Sequence, residues 1–263
     1  MVQTICPSCG YSRSWKLRRN KRKCKRCKKE FSCKSYPVKG FRITDNEWSK
    51  LISVFLRERT ILRMVEETGI SQKTIQRAAH VLRQRMCLDE PSVFKGPVEI
   101  DETYVGGQRK NKTLHIRRLK RKPGHGTDKL PIVGLVCRSS QQVVVRVEPK
   151  KLDINFIFEL SKKHIVPGAK IYTDGFKMYR GLKRIGFQHE YVDHAGGEYV
   201  RGEVHTNNIE GFWGILKRKL GCIGGMRRDR LYLFVGEIVW KYNHKHLTQK
   251  QREQALFELV LRE

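Results

Sequence analysis

The feature that most constrains the fold is a change of pattern near residue 97, where apolar runs begin to alternate with helical periods. Short β-branched runs predict strands, and apolar residues three and four positions apart predict helices. The predicted strands are Val98–Val105, 132–138, 143–148, 170–173 and 190–192, and the predicted helices are 152–164, 177–185 and 208–220. Three strands, a helix, a strand, a helix, a short strand and further helices predict a mixed α/β domain over residues 93–263.

Three acidic residues occupy positions in this pattern that suit a metal site. Asp101 ends an apolar run, Asp174 ends a second one, and Glu210 lies on the helix 208–220. The order of elements is that of an RNase H-like domain, in which such acids can converge on two divalent cations. We therefore predict that Asp101, Asp174 and Glu210 are catalytic and bind Mg²⁺ or Mn²⁺, with Asp101 shared between both ions. Taken singly, Asp174 is also compatible with a simple turn, and Glu210 with an acid that interacts with the dipole at the start of a helix.

The charge of the chain indicates its partner. The 263 residues include 55 Lys and Arg against 26 Asp and Glu, which gives a net charge of +29. Self-repulsion of this size favours a polyanionic partner over a merely solvated surface, so we predict binding to nucleic acid. The 39% of hydrophobic residues is enough for a folded core.

The sequence also predicts where the protein works. No segment approaches the ~18 consecutive apolar residues of a membrane span, and no apolar signal-peptide core begins the chain. These observations predict an intracellular protein without a membrane partner, cytoplasmic and nucleoid-associated if the source is prokaryotic. Its cysteines are then expected to be thiols or metal ligands.

Two CxxC pairs near the N-terminus predict a structural metal site. Cys6 and Cys9 are separated by fourteen residues from Cys24 and Cys27, which suits a Cys₄ site for Zn²⁺ better than four unrelated thiols. Residues 1–40 contain thirteen Lys and Arg and one acid, so the metal would have to supply the core. We predict a zinc ribbon over residues 1–40.

Residues 41–92 read as a helical DNA-binding domain. Thr44 and Glu47 form a capping-box pattern, and a second helix ends at Gly69. The third helix is basic, which predicts a helix-turn-helix in which Arg77 and Arg83 contact DNA. A helical hairpin without DNA-binding function is the alternative.

The helix 208–220 carries a second set of predicted substrate contacts. Glu210, Trp213 and Lys217 share one stripe, which would run along a substrate groove. Lys217 is predicted to contact DNA, with a solvated lysine as the alternative. Trp213 is predicted either to stack on a flipped base or to pack in the core.

Three segments together resemble a known family. IDETYVGG (100–107), YTDGF (172–176) and HTNNIEGFWGILKR (205–218) follow a Cys₄ ribbon in that order. They resemble the Merlin-related prokaryotic insertion-sequence transposases, which are DDE enzymes with a zinc ribbon and an RNase H-like core. By motif match, Asp101, Asp174 and Glu210 correspond to the three catalytic acids. Some branches use Asn at the third position, so Asn207 and Asn208 remain alternatives to Glu210.

The resemblance, which covers nearly the whole chain, implies an activity on DNA ends. A protein of this family would bind the terminal inverted repeats, cleave a strand with the help of metal, and join the freed 3′-OH to target DNA. Double-stranded DNA and a homo-dimer or higher homo-oligomer are the implied partners. The alternatives are a DNA-binding regulator without chemistry and an RNase H-like nuclease or resolvase that cuts without joining.

Overall fold

The computed structural model of the protein describes residues 5–18, 21–32, 37–106, 114–118, 129–148, 152–193, 197–198, 200–224 and 226–261. The chain divides into two compact units, Met1–Arg85 with Leu247–Glu263, and Met86–His246. Within the described ranges, no helix combines the length and apolar character that a membrane crossing needs.

The first unit begins with a small antiparallel sheet. Its strands are β1 (Ser14–Lys16), β2 (Lys21–Cys24) and β3 (Glu30–Ser32), in the order β1-β2-β3. Beside this sheet lies a core made of few residues: Cys6, Cys24 and Phe31, with Cys9, Tyr11 and Cys27 packed against them. Because four of these six are cysteines, the apolar area is too small to hold the sheet without a further stabilising group.

Helices form the rest of the first unit: α1 (Asp45–Leu56), α2 (Ile61–Thr68), α3 (Gln72–Leu88) up to Arg85 and, at the C-terminus, α8 (Gln249–Leu261). The predicted capping box is confirmed, since Thr44 accepts from the backbone of Glu47 while the Glu47 carboxylate accepts from Thr44 N. Gly69 ends α2 with a φ of 70°. The helix α8 packs against α1. It therefore lies in this unit.

The second unit is built on a five-stranded mixed sheet of order β6-β5-β4-β7-β8. Its elements are β4 (Val98–Val105), α4 (Leu114–Arg118), β5 (Leu130–Cys137), β6 (Val143–Val147), α5 (Ile154–His164), β7 (Lys170–Asp174), a 3-10 helix (Lys177–Ile185), β8 (Gln188–Val192), α6 (Asn207–Gly221), a 3-10 turn (Arg228–Arg230) and α7 (Leu231–Asn243). The predicted mixed α/β class is thereby confirmed. Strands β4, β5 and β6 pair antiparallel, whereas β4, β7 and β8 pair parallel.

Both faces of this sheet are covered, as the alternation of its apolar side chains requires. On one face, Val133 and Leu135 pack with Ile157 of α5 and Tyr179 of the 3-10 helix. On the other face, the core consists of residues from β5, β6, α6 and α7: Ile132, Val136, Val143, Ile209, Phe212, Leu216, Leu231 and Val235. The helix α6 is thus held flat against the sheet beside β4.

The parallel strands β4 and β7 separate from each other before either strand ends. The parallel pairing of β4 with β7 joins Val98 to Ile171 and Glu99 to Tyr172. Beyond these pairs, β4 continues along β5 as far as Val105, while β7 follows β8 to Asp174. The carboxyl ends of two central strands therefore lie side by side with room for side chains between them.

Candidate active site

Three carboxyl groups meet where β4 and β7 separate. Asp101 and Glu102 lie on β4, and Asp174 is the last residue of β7. One oxygen from each carboxylate can be chosen so that all three lie within 4.8 Å of one another. The structure therefore brings together the first two predicted acids and adds Glu102, which was not among them. We call Asp101, Glu102 and Asp174 the acid group.

Each member of the acid group is oriented by a donor from a different element. The Asp101 Oδ2 accepts a hydrogen bond of 2.9 Å from the Trp213 indole on α6. The Asp174 Oδ1 accepts from the Phe176 backbone N–H at 3.0 Å. The Glu102 carboxylate accepts from the Tyr179 hydroxyl. Donors on α6, on the chain after β7 and on the 3-10 helix thus fix the three carboxyl groups in position.

Burial and neighbouring charge raise the pKa of two of these carboxyl groups. Burial, and then the charge of Asp174, raise the pKa of Asp101 from 3.8 to about 7. Burial is also the main cause that raises the pKa of Glu102 to about 8, with Asp101 and Asp174 adding to it against the bond from Tyr179. A divalent cation would relieve this repulsion, and hard cations prefer carboxylate oxygens. The donor set therefore fits Mg²⁺ or Mn²⁺.

Glu102 was missed because neighbouring side chains on a strand point to opposite faces. Asp101 points towards α6, and Glu102 points towards the 3-10 helix with Tyr179. Both nevertheless lie near Asp174, because the strand pairing has already ended there. One signal was present in the sequence: Glu102 continues the alternation of Val98 and Ile100, which belong to the core on that face. A carboxylate in an apolar series indicates a special environment.

The third predicted acid lies nearby but outside the acid group. Glu210 is exposed in the first turn of α6, and its carboxylate accepts a 2.8 Å bond from the Thr206 hydroxyl. Its charge contributes to raising the pKa of Asp101, although less than burial and Asp174 do. Of the two alternatives, Asn208 directs its side-chain amide to Glu99 at 2.7 Å. Asn207 is exposed at the start of the helix.

The predicted DNA-contacting residues occupy different environments. Trp213 is 4% exposed, and its ring packs so closely on Gly134 of β5 that a side chain there would overlap it. Of the two roles predicted for Trp213, this position agrees with core packing. Lys217 is exposed on α6. Arg77 is exposed, with its guanidinium 4.9 Å from the centre of the Phe41 ring, and the half-buried Arg83 lies 5.4 Å from that of Phe55.

The four N-terminal cysteines form a second candidate metal centre, and their ligand atoms all lie within 4.8 Å of one another. The Sγ atoms of Cys6 and Cys27 are 3.5 Å apart, and those of Cys9 and Cys24 are 3.6 Å apart. Burial raises the pKa of Cys24, but backbone N–H bonds from Cys27 and Arg26 outweigh it and lower the pKa to about 6. For Cys27, the N–H of Lys29 lowers the pKa, while burial and the neighbouring thiols raise it to about 11. A bound cation would offset the repulsion between neighbouring thiolates, so that all four cysteines could be deprotonated at once.

The fold is a mixed β-sheet with helices on both faces and the acid group at its strand ends. The acid group and the four-cysteine cluster are each arranged so that they could hold a metal ion. Comparison with known families is more specific. Residues 93–243, more than half of the chain, match the family model of the ISXO2-like transposase domain. The chain therefore belongs to this family of insertion-sequence transposases, which confirms the resemblance found in its motifs and indicates a nuclease-type enzyme.

Two relatives agree with this assignment. The chain is 32% identical over 219 residues to an uncharacterized protein in transposable element ISH50 of Halobacterium salinarum. That match covers 79% of this chain and 73% of the relative. An uncharacterized transposase-like protein of Haemophilus influenzae is 24% identical over 114 residues, which are 43% of this chain and 88% of the relative.

The raised pKa values predict that metal binding strengthens with pH. Asp101 and Glu102, with pKa values of about 7 and about 8, must lose their protons before a cation can bind. Between pH 6 and pH 8 we expect Mn²⁺ affinity to increase about tenfold per pH unit for each proton released. Calorimetric titration at pH 6, 7 and 8, in two buffers of different ionisation enthalpy, measures both the affinity and the protons released.

The same shifts have an opposite effect on the metal-free protein. Because the folded carboxyl groups retain protons that the unfolded chain has released, the free energy of unfolding decreases as pH rises from about 4 towards 8. Asp101→Asn, which removes one of the two titrating groups, is the control: its free energy of unfolding should depend less on pH. An Mn²⁺ affinity independent of pH would contradict this account of the acid group.

Proposed function

We propose that this protein is a DDE-type transposase that binds the terminal inverted repeats of its element and catalyses metal-dependent cleavage and transfer of DNA strands. The observation that carries the proposal is the convergence of Asp101 and Asp174, from two parallel strands, within a chain of net charge +29. Carboxylates grouped at this spacing in a basic protein suit chemistry on a phosphodiester backbone.

The sheet supports an RNase H-like core in this proposal. Three antiparallel strands are followed by two parallel ones, with β4 at the centre of the order β6-β5-β4-β7-β8. The first acid lies on the central strand and the second on its parallel neighbour, which is where such a core would carry them. In this proposal, residues 93–263 form the catalytic domain, residues 1–40 a zinc ribbon and residues 41–92 a helix-turn-helix. The last helix of the catalytic range, α8, packs against α1 in the first unit.

We assign the third catalytic position to Glu210. Its charge interacts with Asp101, whereas the Asn208 amide bonds to Glu99. A carboxylate is also a better ligand for Mg²⁺ than an amide. Glu102, held by Tyr179, is an additional carboxylate that could bind an ion beside Asp174.

The chemistry would proceed in two displacements at phosphorus. When bound, divalent cations at these carboxylates would activate the attacking hydroxyl and stabilise the leaving oxygen. In the first displacement, water attacks the phosphodiester at the end of the element and a 3′-OH leaves. In the second, that 3′-OH attacks a target phosphodiester, and the displaced target oxygen takes up the proton. Asp101, Asp174 and Glu210 would hold the ions, and the Trp213 bond would keep Asp101 turned towards them.

The cysteine centre supports a structural zinc ion. Zn–S bonds of about 2.3 Å in a tetrahedron place the sulfur atoms roughly 3.8 Å apart. The observed Sγ–Sγ distances of 3.5 and 3.6 Å are close to this value. Backbone N–H donors to Cys24 at 3.3 and 3.5 Å add the bonds that steady a thiolate ligand.

The basic surfaces would then bind DNA. The ribbon, the exposed Arg77 on α3 and the exposed Lys217 on α6 are the proposed contacts, with Arg83 as a further one. Because a transposase must hold two DNA ends at once, we propose that it acts as a homo-dimer or a higher homo-oligomer on double-stranded DNA.

Incubating the full-length protein with the end DNA of its element and Mg²⁺ separates the proposal from its rivals. Joined products support a transposase. Nicks without joining would instead indicate a nuclease or resolvase. DNA that is shifted in a gel but uncut would indicate a regulator, and would overturn the proposed chemistry.

A further inference from the structure

A buried carboxylate two residues before Asp101 has no role in the site described so far. Glu99 on β4 is 0% exposed, and its side chain points to the face covered by α6. It accepts hydrogen bonds from the backbone N–H groups of Asn208 and Ile209 at 2.9 and 3.0 Å, and from the Asn208 amide at 2.7 Å. Arg138 pairs with it at 2.8 Å, and the His205 ring lies at 3.4 Å.

The first function of Glu99 is to cap α6 from a neighbouring strand. The first N–H groups of a helix have no partner within the helix, and the side chain of the N-cap residue usually supplies one. In α6 the N-cap Thr206 makes no such bond and instead donates to Glu210. The carboxylate of Glu99 replaces it and places a negative charge at the positive end of the helix dipole. The first N–H groups of α6 are thereby bonded to a side chain on β4 rather than to the residue that directly precedes the helix.

Arg138 extends this connection to the other elements of the site. Its guanidinium donates to the backbone carbonyls of Glu203 and His205 at 2.7 and 2.8 Å, and so holds the segment that leads into α6. It also lies 4.3 Å from the centre of the Tyr172 ring on β7, two residues before Asp174. The Glu99–Arg138 pair therefore contacts the strands that carry Asp101 and Asp174 and the helix that carries Glu210.

Burying such a pair gives little net stability, because desolvating two charges costs about as much as their attraction returns. Its geometric effect is specific, since it fixes the start of α6 relative to β4. We propose that Glu99 is a positioning residue: it fixes the start of α6 against β4, and thereby the position from which Trp213 bonds to Asp101 and the place of Glu210 beside the acid group. This inference rests on the proposed function, because it assumes that Glu210 completes the metal site.

The test compares Glu99→Gln with the unchanged protein in two measurements. Gln has the volume of Glu but not its charge. Both carboxylate oxygens of Glu99 accept N–H bonds, and the NH₂ group that replaces one of them in Gln cannot accept any. We expect Mn²⁺, titrated calorimetrically, to bind roughly 10- to 100-fold more weakly, as for other residues that orient metal ligands. Mg²⁺-dependent nicking of end DNA should require a correspondingly higher Mg²⁺ concentration.

Two further variants separate positioning from a general loss of stability. Glu90→Gln breaks two other ion pairs of the same unit, those of Glu90 with Arg146 and with Lys163. It is expected to lower the melting temperature without changing Mn²⁺ affinity. Arg138→Lys keeps the positive charge but loses the fork to Glu203 and His205. Like Glu99→Gln, it should weaken Mn²⁺ binding. If Glu99→Gln does not fold, the Mn²⁺ affinity of Arg138→Lys tests the positioning role instead.

The outcomes distinguish this inference from the proposed function. If the unchanged protein neither binds Mn²⁺ nor cuts DNA, the metal site itself is refuted. If it does both and Glu99→Gln behaves identically, only the positioning role is refuted. An equal loss of Mn²⁺ affinity in Glu99→Gln and Glu90→Gln would also overturn the positioning role, because it would reflect stability alone.

Discussion

Replacing Asp101 by Asn is expected to abolish Mg²⁺-dependent cutting of element-end DNA while leaving end binding intact. Asn has the same shape and keeps an oxygen that can accept the Trp213 bond, but it removes the negative charge from the centre of the acid group. Losing a ligand to catalytic ions removes several kcal/mol of transition-state stabilisation, which is roughly a 10³-fold loss of rate. The rate of nicking of end-labelled DNA, measured beside a gel-shift titration, checks both halves of this expectation.

A matched control for this substitution is Glu159→Gln. Glu159 is a largely exposed acid on α5 that pairs with Lys162, and its loss also changes the net charge by one. It should cut and bind like the unchanged protein. Asp101→Asn that still cuts at a normal rate would refute the assignment of the first catalytic acid, whatever its effect on stability.

The second large effect is expected at the cysteine centre. Cys24→Ser removes the thiolate that receives two backbone N–H bonds in the centre of the ribbon. Structural zinc contributes about 10–16 kcal/mol in small zinc domains. The remaining buried residues of this small core, Cys6 and Phe31, could not replace that contribution, so the ribbon should unfold. We expect loss of one zinc ion per chain, and DNA affinity roughly tenfold lower or worse, because basic residues no longer converge on phosphates.

Metal analysis of the purified protein and salt-dependent DNA binding measure these two results. The control is Cys222→Ser, which changes an exposed cysteine after α6 and should retain both the zinc and the affinity. Zinc-free unchanged protein, or a Cys24→Ser variant that binds DNA normally, would contradict a structural zinc ribbon.

The sequence predicted those parts of the fold that depend on local periodicity. The strands β4 to β8 and the helices α5 and α6 were found to within a few residues, because their apolar spacing is regular and uninterrupted. The segment 177–185 was predicted as a helix and is a 3-10 helix. Its Gly181 lies against the Phe158 ring, and an added side chain would overlap that ring.

The parts that were not predicted depend on contacts between distant residues. Whether a carboxylate on β4 belongs to the acid group or caps a helix depends on the residues that it contacts in space, not on its neighbours in the sequence. For Glu99, Arg138 lies 39 positions away and Asn208 lies 109 positions away. For Glu102, the decisive partner is Tyr179 at 77 positions. The motifs located Asp101 and Asp174, whereas Glu210 remains a prediction that the metal titrations address.

The pairing of α1 with α8 bears on how the protein folds during its synthesis. The ribosome releases α1 early, but its packing partner emerges only after the whole of Met86–His246 has been made. The sheet unit is continuous in sequence and can fold as soon as it leaves the ribosome, since domains generally fold as units. The helical unit cannot be completed until α8 has also been made. A nascent chain would therefore acquire its acid group before its first unit is complete.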